Sequence, residues 1–149
     1  MSSLTSNNAG RWLAALYDFA VHGGAVGDIP LRVSVPAGAV IVDSFVQILT
    51  APTSSGSATI AISLESAGDI LAATAFDAAP FDGTFGLGLA RYTPGLRFPE
   101  DLPIEIDDSD AGAFVAATEE RELSLTIGTA ALTAGKFNVF LHYVHNATA

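Results

Sequence analysis

The sequence contains no cysteine, which excludes a disulfide framework, a thiolate nucleophile and a thiolate metal site. Basic residues are scarce. Six Lys and Arg stand against sixteen Asp and Glu, for a net charge of -10 over 149 residues. Arg11, Arg32, Arg91, Arg97, Arg121 and Lys136 are scattered and no two of them make a patch, so a phosphate backbone would be repelled and no nucleic-acid partner is expected. Long apolar runs are also missing. The most apolar stretch, AGAVIVDSFVQIL at 37–49, is interrupted by Asp43 and is too short to cross a bilayer, so no membrane partner is expected. The opening MSSLTSNNAG has neither the basic nor the apolar part of a secretory leader, which points to a soluble, non-secreted setting.

What is present is a foldable chain. Half of the residues are apolar, 15% are charged, and nine Phe dominate the aromatics over three Tyr and one Trp. That length and composition predict one domain around one core. The apolar residues recur with a period of two, the signature of half-buried strands. In LRVSV, Leu31, Val33 and Val35 share a face opposite Arg32 and Ser34. In SATIAISL, Ile60, Ile62 and Leu64 oppose Thr59, Ala61 and Ser63. RELSLTIG sets Leu123, Leu125 and Ile127 against Glu122, Ser124 and Thr126, and the closing KFNVFLHY sets Phe137, Val139, Leu141 and Tyr143 against Lys136, Asn138, Phe140 and His142.

Turn residues punctuate these runs. VPAGAV (35–40), TAPTSSGS (50–57) and LTAGK (132–136) each carry Pro or Gly between apolar stretches and predict short connections. RWLAALYDFA fits either a helical stripe or a strand, and the glycines that follow favour a strand for its second half. Between about 76 and 118 the pattern loosens into Gly- and Pro-rich loops around two or three short strands such as LRF and PIEI. About eight short strands without helical crossovers predict an all-β, antiparallel two-sheet sandwich, jelly-roll-like. An immunoglobulin-like sandwich is the second choice and lacks the Cys and Trp placement that would support it. Residues 1–13 read as a flexible N-terminal arm and 14–149 as the sandwich domain.

The sequence offers little reactive chemistry. His22 lies in a Gly-rich turn, and His142 and His145 are three apart on a strand, so they face opposite sides and cannot share a metal. The acidic run EIDDSDAG (105–112) offers Asp107, Asp108 and Asp110 to a hard cation, yet the EF-hand spacing fails: Ser109, Ala111 and Thr118 stand where ligands are required. A solvated loop is the reading, with a non-EF calcium loop as its rival. GTFGLGLAR has no lysine after its glycines, and SSGS is not a nucleophile elbow. No catalytic residue, cofactor site or metal site is expected, and the chain is read as a non-enzyme.

Several turn-and-strand phrases carry a resemblance. YDFAVHGGAVGDIPL, VPAGAVIVDSFVQILTAPTSSGSATIAISL, AGDILAATA and LTIGTAALTAGKFNVFLHYV, covering 17–75 and 121–144, resemble small virion proteins of tailed bacteriophages. The better understood of those resemble capsid decoration, or cement, proteins; residues 76–120 depart from the pattern. The resemblance implies a jelly-roll virion protein that binds the outside of an assembled shell. Its partners would be the major capsid protein and itself, as a dimer or trimer, and its place the capsid exterior after synthesis in the host cytoplasm. Leu4, Trp12 and Leu13 of the arm and Phe76, Phe81 and Phe85 of the Phe-rich loop are the candidate partner contacts. The alternative is a tail or fibre-associated jelly-roll that binds a receptor glycan on aromatic platforms, with or without calcium.

Overall fold

A computed structural model describes residues 10–78, 80–82, 89–92 and 115–145, with the backbone alone for 89–92. The elements run β1 (Arg11–Asp18), α1 (Phe19–His22), β2 (Gly27–Val35), β3 (Ala39–Ser54), β4 (Thr59–Ser63), β5 (Leu71–Ala75), β6 (Leu89–Tyr92), β7 (Val115–Ala116), β8 (Arg121–Gly128) and β9 (Leu132–His145). One sheet has the order β1-β9-β3-β6, with the two-residue β7 also on β3; the other has the order β2-β8-β4-β5. Every pairing is antiparallel. The pairs β1 with β9, β2 with β8, β3 with β6 and β7, and β4 with β5 are nested like a long hairpin rolled into two layers, which is the jelly roll. The last strand lies between β1 and β3, so the end of the chain completes the middle of a sheet.

Alternation decides which side chains meet between the layers. Tyr17, Ile41, Phe137, Val139 and Leu141 of the first sheet face Leu31, Ile60, Ile62, Leu123, Leu125 and Ile127 of the second, all of them buried. These are the sets that the period-two pattern puts inward in β2, β4, β8 and β9. An interior void lined by Val46, Ile62, Ile70, Leu71 and Val139 measures about 10 Å³, room for one water at most. At this point, among the described residues, the two layers pack closely.

Three local expectations are corrected. The strand in RWLAALYDFA covers its first eight residues, Arg11–Asp18, so it includes Leu16, Tyr17 and Asp18 of the half expected to be strand. It begins early enough to take Trp12 and Leu13 out of the arm, and gives way to a single helical turn at Phe19–His22. Asp18 caps that turn by accepting a hydrogen bond from the Ala20 N–H at 3.0 Å. Gly23, at φ 74°, closes it by donating its N–H to the Phe19 carbonyl at 2.9 Å. TAPTSSGS and LTAGK are also no simple turns. Thr50–Ser54 and Leu132–Lys136 extend β3 and β9 in a bulged continuation of one ladder. Gly135, at φ 146°, sits where an added Cβ would come within 3.1 Å of Pro52 Cα, so the Pro and Gly read as turn formers instead fit each other across the ladder. LRF and PIEI lie outside the described residues.

Polar groups tie the ends of the sandwich. The Tyr17 hydroxyl donates to the Gly23 carbonyl at 2.7 Å, and burial, helped by the Asp18 carboxylate, pushes its pKa up to about 12. After β4, Asp69 accepts from the N–H groups of Leu64, Glu65 and Ser66 at 2.8 to 2.9 Å and holds a tight loop. That loop aims Glu65 at the start of β8. There Arg121 meets it with two bonds, Nε at 2.6 Å and Nη2 at 3.1 Å, and Thr118 donates its hydroxyl as well. These hydrogen bonds, first that of Arg121, hold the Glu65 carboxyl down to about 2.

Candidate interaction surface

The outer faces of the two sheets differ in kind. On the second sheet, the outward row of β8 is Glu122, Ser124 and Thr126, beside Thr59, Ala61 and Ser63 of β4. Asp28 on β2 accepts from the Thr126 hydroxyl at 2.6 Å. This is a small, polar, wettable face.

On the first sheet, the register sets Trp12 opposite His142 on β1 and β9, and Phe140 opposite Phe45 on β9 and β3. The Trp12 indole stacks on His142 with centroids 4.5 Å apart and planes 11° apart. It then reaches Phe45 edge-on at 5.4 Å, and Phe45 stacks on Phe140 at 4.7 Å. Trp12 remains 51% exposed and Leu16, four residues further along β1, 40%. The next row is the amide pair Asn138 and Gln47, bonded at 3.2 Å; the row after it balances Lys136 against Asp18 at 3.9 Å. The result is an aromatic patch bordered by an amide pair and an ion pair, with Asp43 of β3 in register with His142.

Of the residues singled out by the sequence, Trp12 is on this patch. Leu13 points the other way and packs against the core, as does Phe76. Phe81 is a correction: it is 1% exposed and packs on Phe137 at 5.3 Å, so it plugs the sandwich and is not available to a partner. Leu4, Phe85 and the acidic run at 105–112 lie outside the described residues. Sequence reasoning missed Phe45, Phe140 and His142. Their signal was legible for two of them: Phe140 and His142 stand on the face of β9 that also carries Lys136 and Asn138, where a large aromatic is out of pattern.

The three histidines serve separate structural ends. His22 Nδ1 accepts from the Asp18 N–H at 3.0 Å, His142 lies under Trp12, and His145 Nε2 donates to the Ala37 carbonyl at 2.9 Å. Among the described residues no three His, Asp or Glu gather in a way that would hold a metal ion.

Solved structures share this fold. Similar chains occur in the acidic stable capsid structure of Helicobacter pylori bacteriophage KHP30, at 13% identity over 91% of this chain and 86% of that chain with a TM-score of 0.57. The cyanophage Pam1 capsid asymmetric unit gives 14% identity over 93% of this chain and 86% of that one, TM-score 0.57. The capsid of Ralstonia phage GP4 gives 17% identity over 93% and 87%, TM-score 0.54. No family model matches the sequence, and no curated protein is similar to it. At such identities the likeness establishes a common jelly-roll architecture.

Proposed function

We propose that this chain is a structural protein of a tailed-phage virion, and within that class a decoration protein that binds the outer surface of the assembled capsid and stabilises the shell. The observation that supports the reading most is mutual coverage. Each alignment takes in 91–93% of this chain and 86–87% of the other, so the similar chains in the three phage capsid structures are about as small as this one. A core closely packed among the described residues and an aromatic outer patch fit a protein that works through contacts. Its acidity suits a position outside the shell, away from packaged nucleic acid. The major capsid protein is the proposed partner, and the patch of Trp12, Phe45, Phe140 and His142 is the proposed contact. Repeated over a symmetric shell, individually weak contacts of this kind add up to appreciable stabilisation.

The test is cosedimentation of the purified protein with expanded and unexpanded capsids of the phage that encodes it. Saturable binding at a fixed ratio to capsid subunits, lost in Trp12→Ala and Phe140→Ala, is the expected result. Absence of binding to either shell form, with retention on immobilised glycans instead, would replace this reading with a receptor-binding one.

A further inference from the structure

Each sheet of an open sandwich ends in two edge strands, and here the four edges are not treated alike. On the second sheet, β2 carries Pro30 and breaks register between Pro30 and Ser34, with Arg32 forced to φ 62°, while β5 is only five residues long. On the first sheet β6 has four residues. Proline, bulges and shortness are the ordinary ways to keep an edge from pairing with another chain. β1 has none of them: it runs eight residues in unbroken register with β9, without proline and without lysine.

The direction of its free backbone groups can be read from one hydrogen bond. In an antiparallel strand a residue turns its N–H and C=O to the same side, and successive residues alternate. Asp18 donates its N–H to His22 Nδ1 at 3.0 Å and not to Lys136, its partner in register. Asp18 therefore faces away from β9, and so do Leu16, Ala14 and Trp12. His22 occupies the groups of Asp18, which leaves those of Trp12, Ala14 and Leu16 on the open edge.

From this we infer that β1 pairs antiparallel with β1 of a second copy of the chain, about a twofold axis through Ala14. In that register Trp12 lies opposite the second copy's Leu16, Ala14 lies opposite itself, and Leu16 lies opposite the second copy's Trp12. All three residues with open backbone groups become hydrogen-bonded pairs. The two exposed large apolar side chains of the strand are matched, and the smallest side chain sits on the axis. Moving the axis to Ala15 would set Trp12 against Asp18, whose backbone is taken; moving it to Leu13 would leave Leu16 facing Gly10. Charge agrees with the antiparallel sense, because the Arg11 end of one strand comes beside the Asp18 end of the other, and β1 itself has no net charge in a chain of -10. Such a dimer has one continuous sheet, β6-β3-β9-β1 joined to its mirror order by the twofold, with the two aromatic patches on the same side. The inference rests on the strand alone and does not require the capsid reading.

The experiment uses the full chain and measures its mass by light scattering across the micromolar range, followed by disulfide trapping. The absence of natural cysteine makes the trapping clean. Paired Cα atoms in a hydrogen-bonded register lie about 5.5 Å apart, within disulfide reach. Ala14→Cys is expected to give a covalent dimer on mild oxidation. Leu16→Cys alone is expected to give none, and a mixture of Leu16→Cys with Trp12→Cys is expected to give a mixed dimer. Ala14→Pro removes an N–H that points off the sheet, a place where an edge strand tolerates proline, and should halve the mass while the circular dichroism of the folded chain is retained. A monomeric or trimeric wild type would overturn the inference. So would an Ala14→Pro variant that stays dimeric, or Leu16→Cys cross-linking as well as Ala14→Cys.

Discussion

The two outer faces of this sandwich belong to sheets that share one core, yet one is lined by Ser, Thr and Ala and the other by Trp, Phe and His. Folding explains neither choice. Both sheets bury their inner rows equally well, with Phe137 and Leu141 on one side and Leu123 and Leu125 on the other fully covered. An aromatic row on the solvent side of a sheet adds apolar surface that the core does not need, and contiguous exposed apolar area is a mark of contact with something else. The polar face of the second sheet is the contrast against which the proposed contact surface stands out. The difference separates residues that the core uses from residues that the proposed contact would use.

The comparison can be broken most directly by exchanging inside for outside on one strand. Phe137→Ala, which empties the centre of the core, is expected to cost about 3–5 kcal/mol in denaturant unfolding. Phe140→Ala, three residues on and facing out, should lose its stacking on Phe45 and cost about 0.5–1.5 kcal/mol beyond its burial. Equal costs for the two would make the aromatic row part of the folding machinery and remove its claim to be a surface. A smaller effect separates the ends of the polar sheet by pH. Glu65 has a folded pKa of about 2 against an ordinary 4.5, so its contribution to stability is present above pH 4.5 and is lost as pH falls through about 2. The melting temperature of wild type should therefore fall over that window more steeply than that of Glu65→Gln, which has no carboxylate there to protonate. The smallest change expected is a gain. Arg32→Gly relieves a left-handed backbone on the guarded edge β2 and should add about 1 kcal/mol in the same unfolding assay, with no change in oligomeric mass.

How far the molecule could be read in advance depended on what each signal reports. Period-two alternation reports burial on one face of a strand, and in β2, β4, β8 and β9 it identified the inner rows before the fold was known. It does not report which strand neighbours which, because the nested pairing of β1 with β9 joins residues more than a hundred positions apart. Pro and Gly signals report local backbone preference, and at Pro52 and Gly135 that preference was spent on fitting two strands together at a bulge instead of turning the chain. The helical turn at Phe19–His22 was legible in its Asp18 cap and Gly23 stop, but one turn is too short to show a 3.6-residue period. Among the Phe residues of the middle region, composition alone cannot tell Phe81, which closes the core, from one left outside it. The surface is half legible: Trp12 stands out as an apolar anchor of the expected arm, while Phe140 and His142 read as ordinary members of an outward row.

The proline and bulge of β2 have a consequence for the size of any assembly the chain enters. A sheet that could be extended at both layers would recruit copies without limit and end as a fibre. Among the described strands, β2 is guarded by its proline and bulge, β5 and β6 are short, and β1 alone is a long unbroken edge. Pairing through β1 alone would have a valence of one, so it would saturate with the first partner and end as a dimer instead of a fibre.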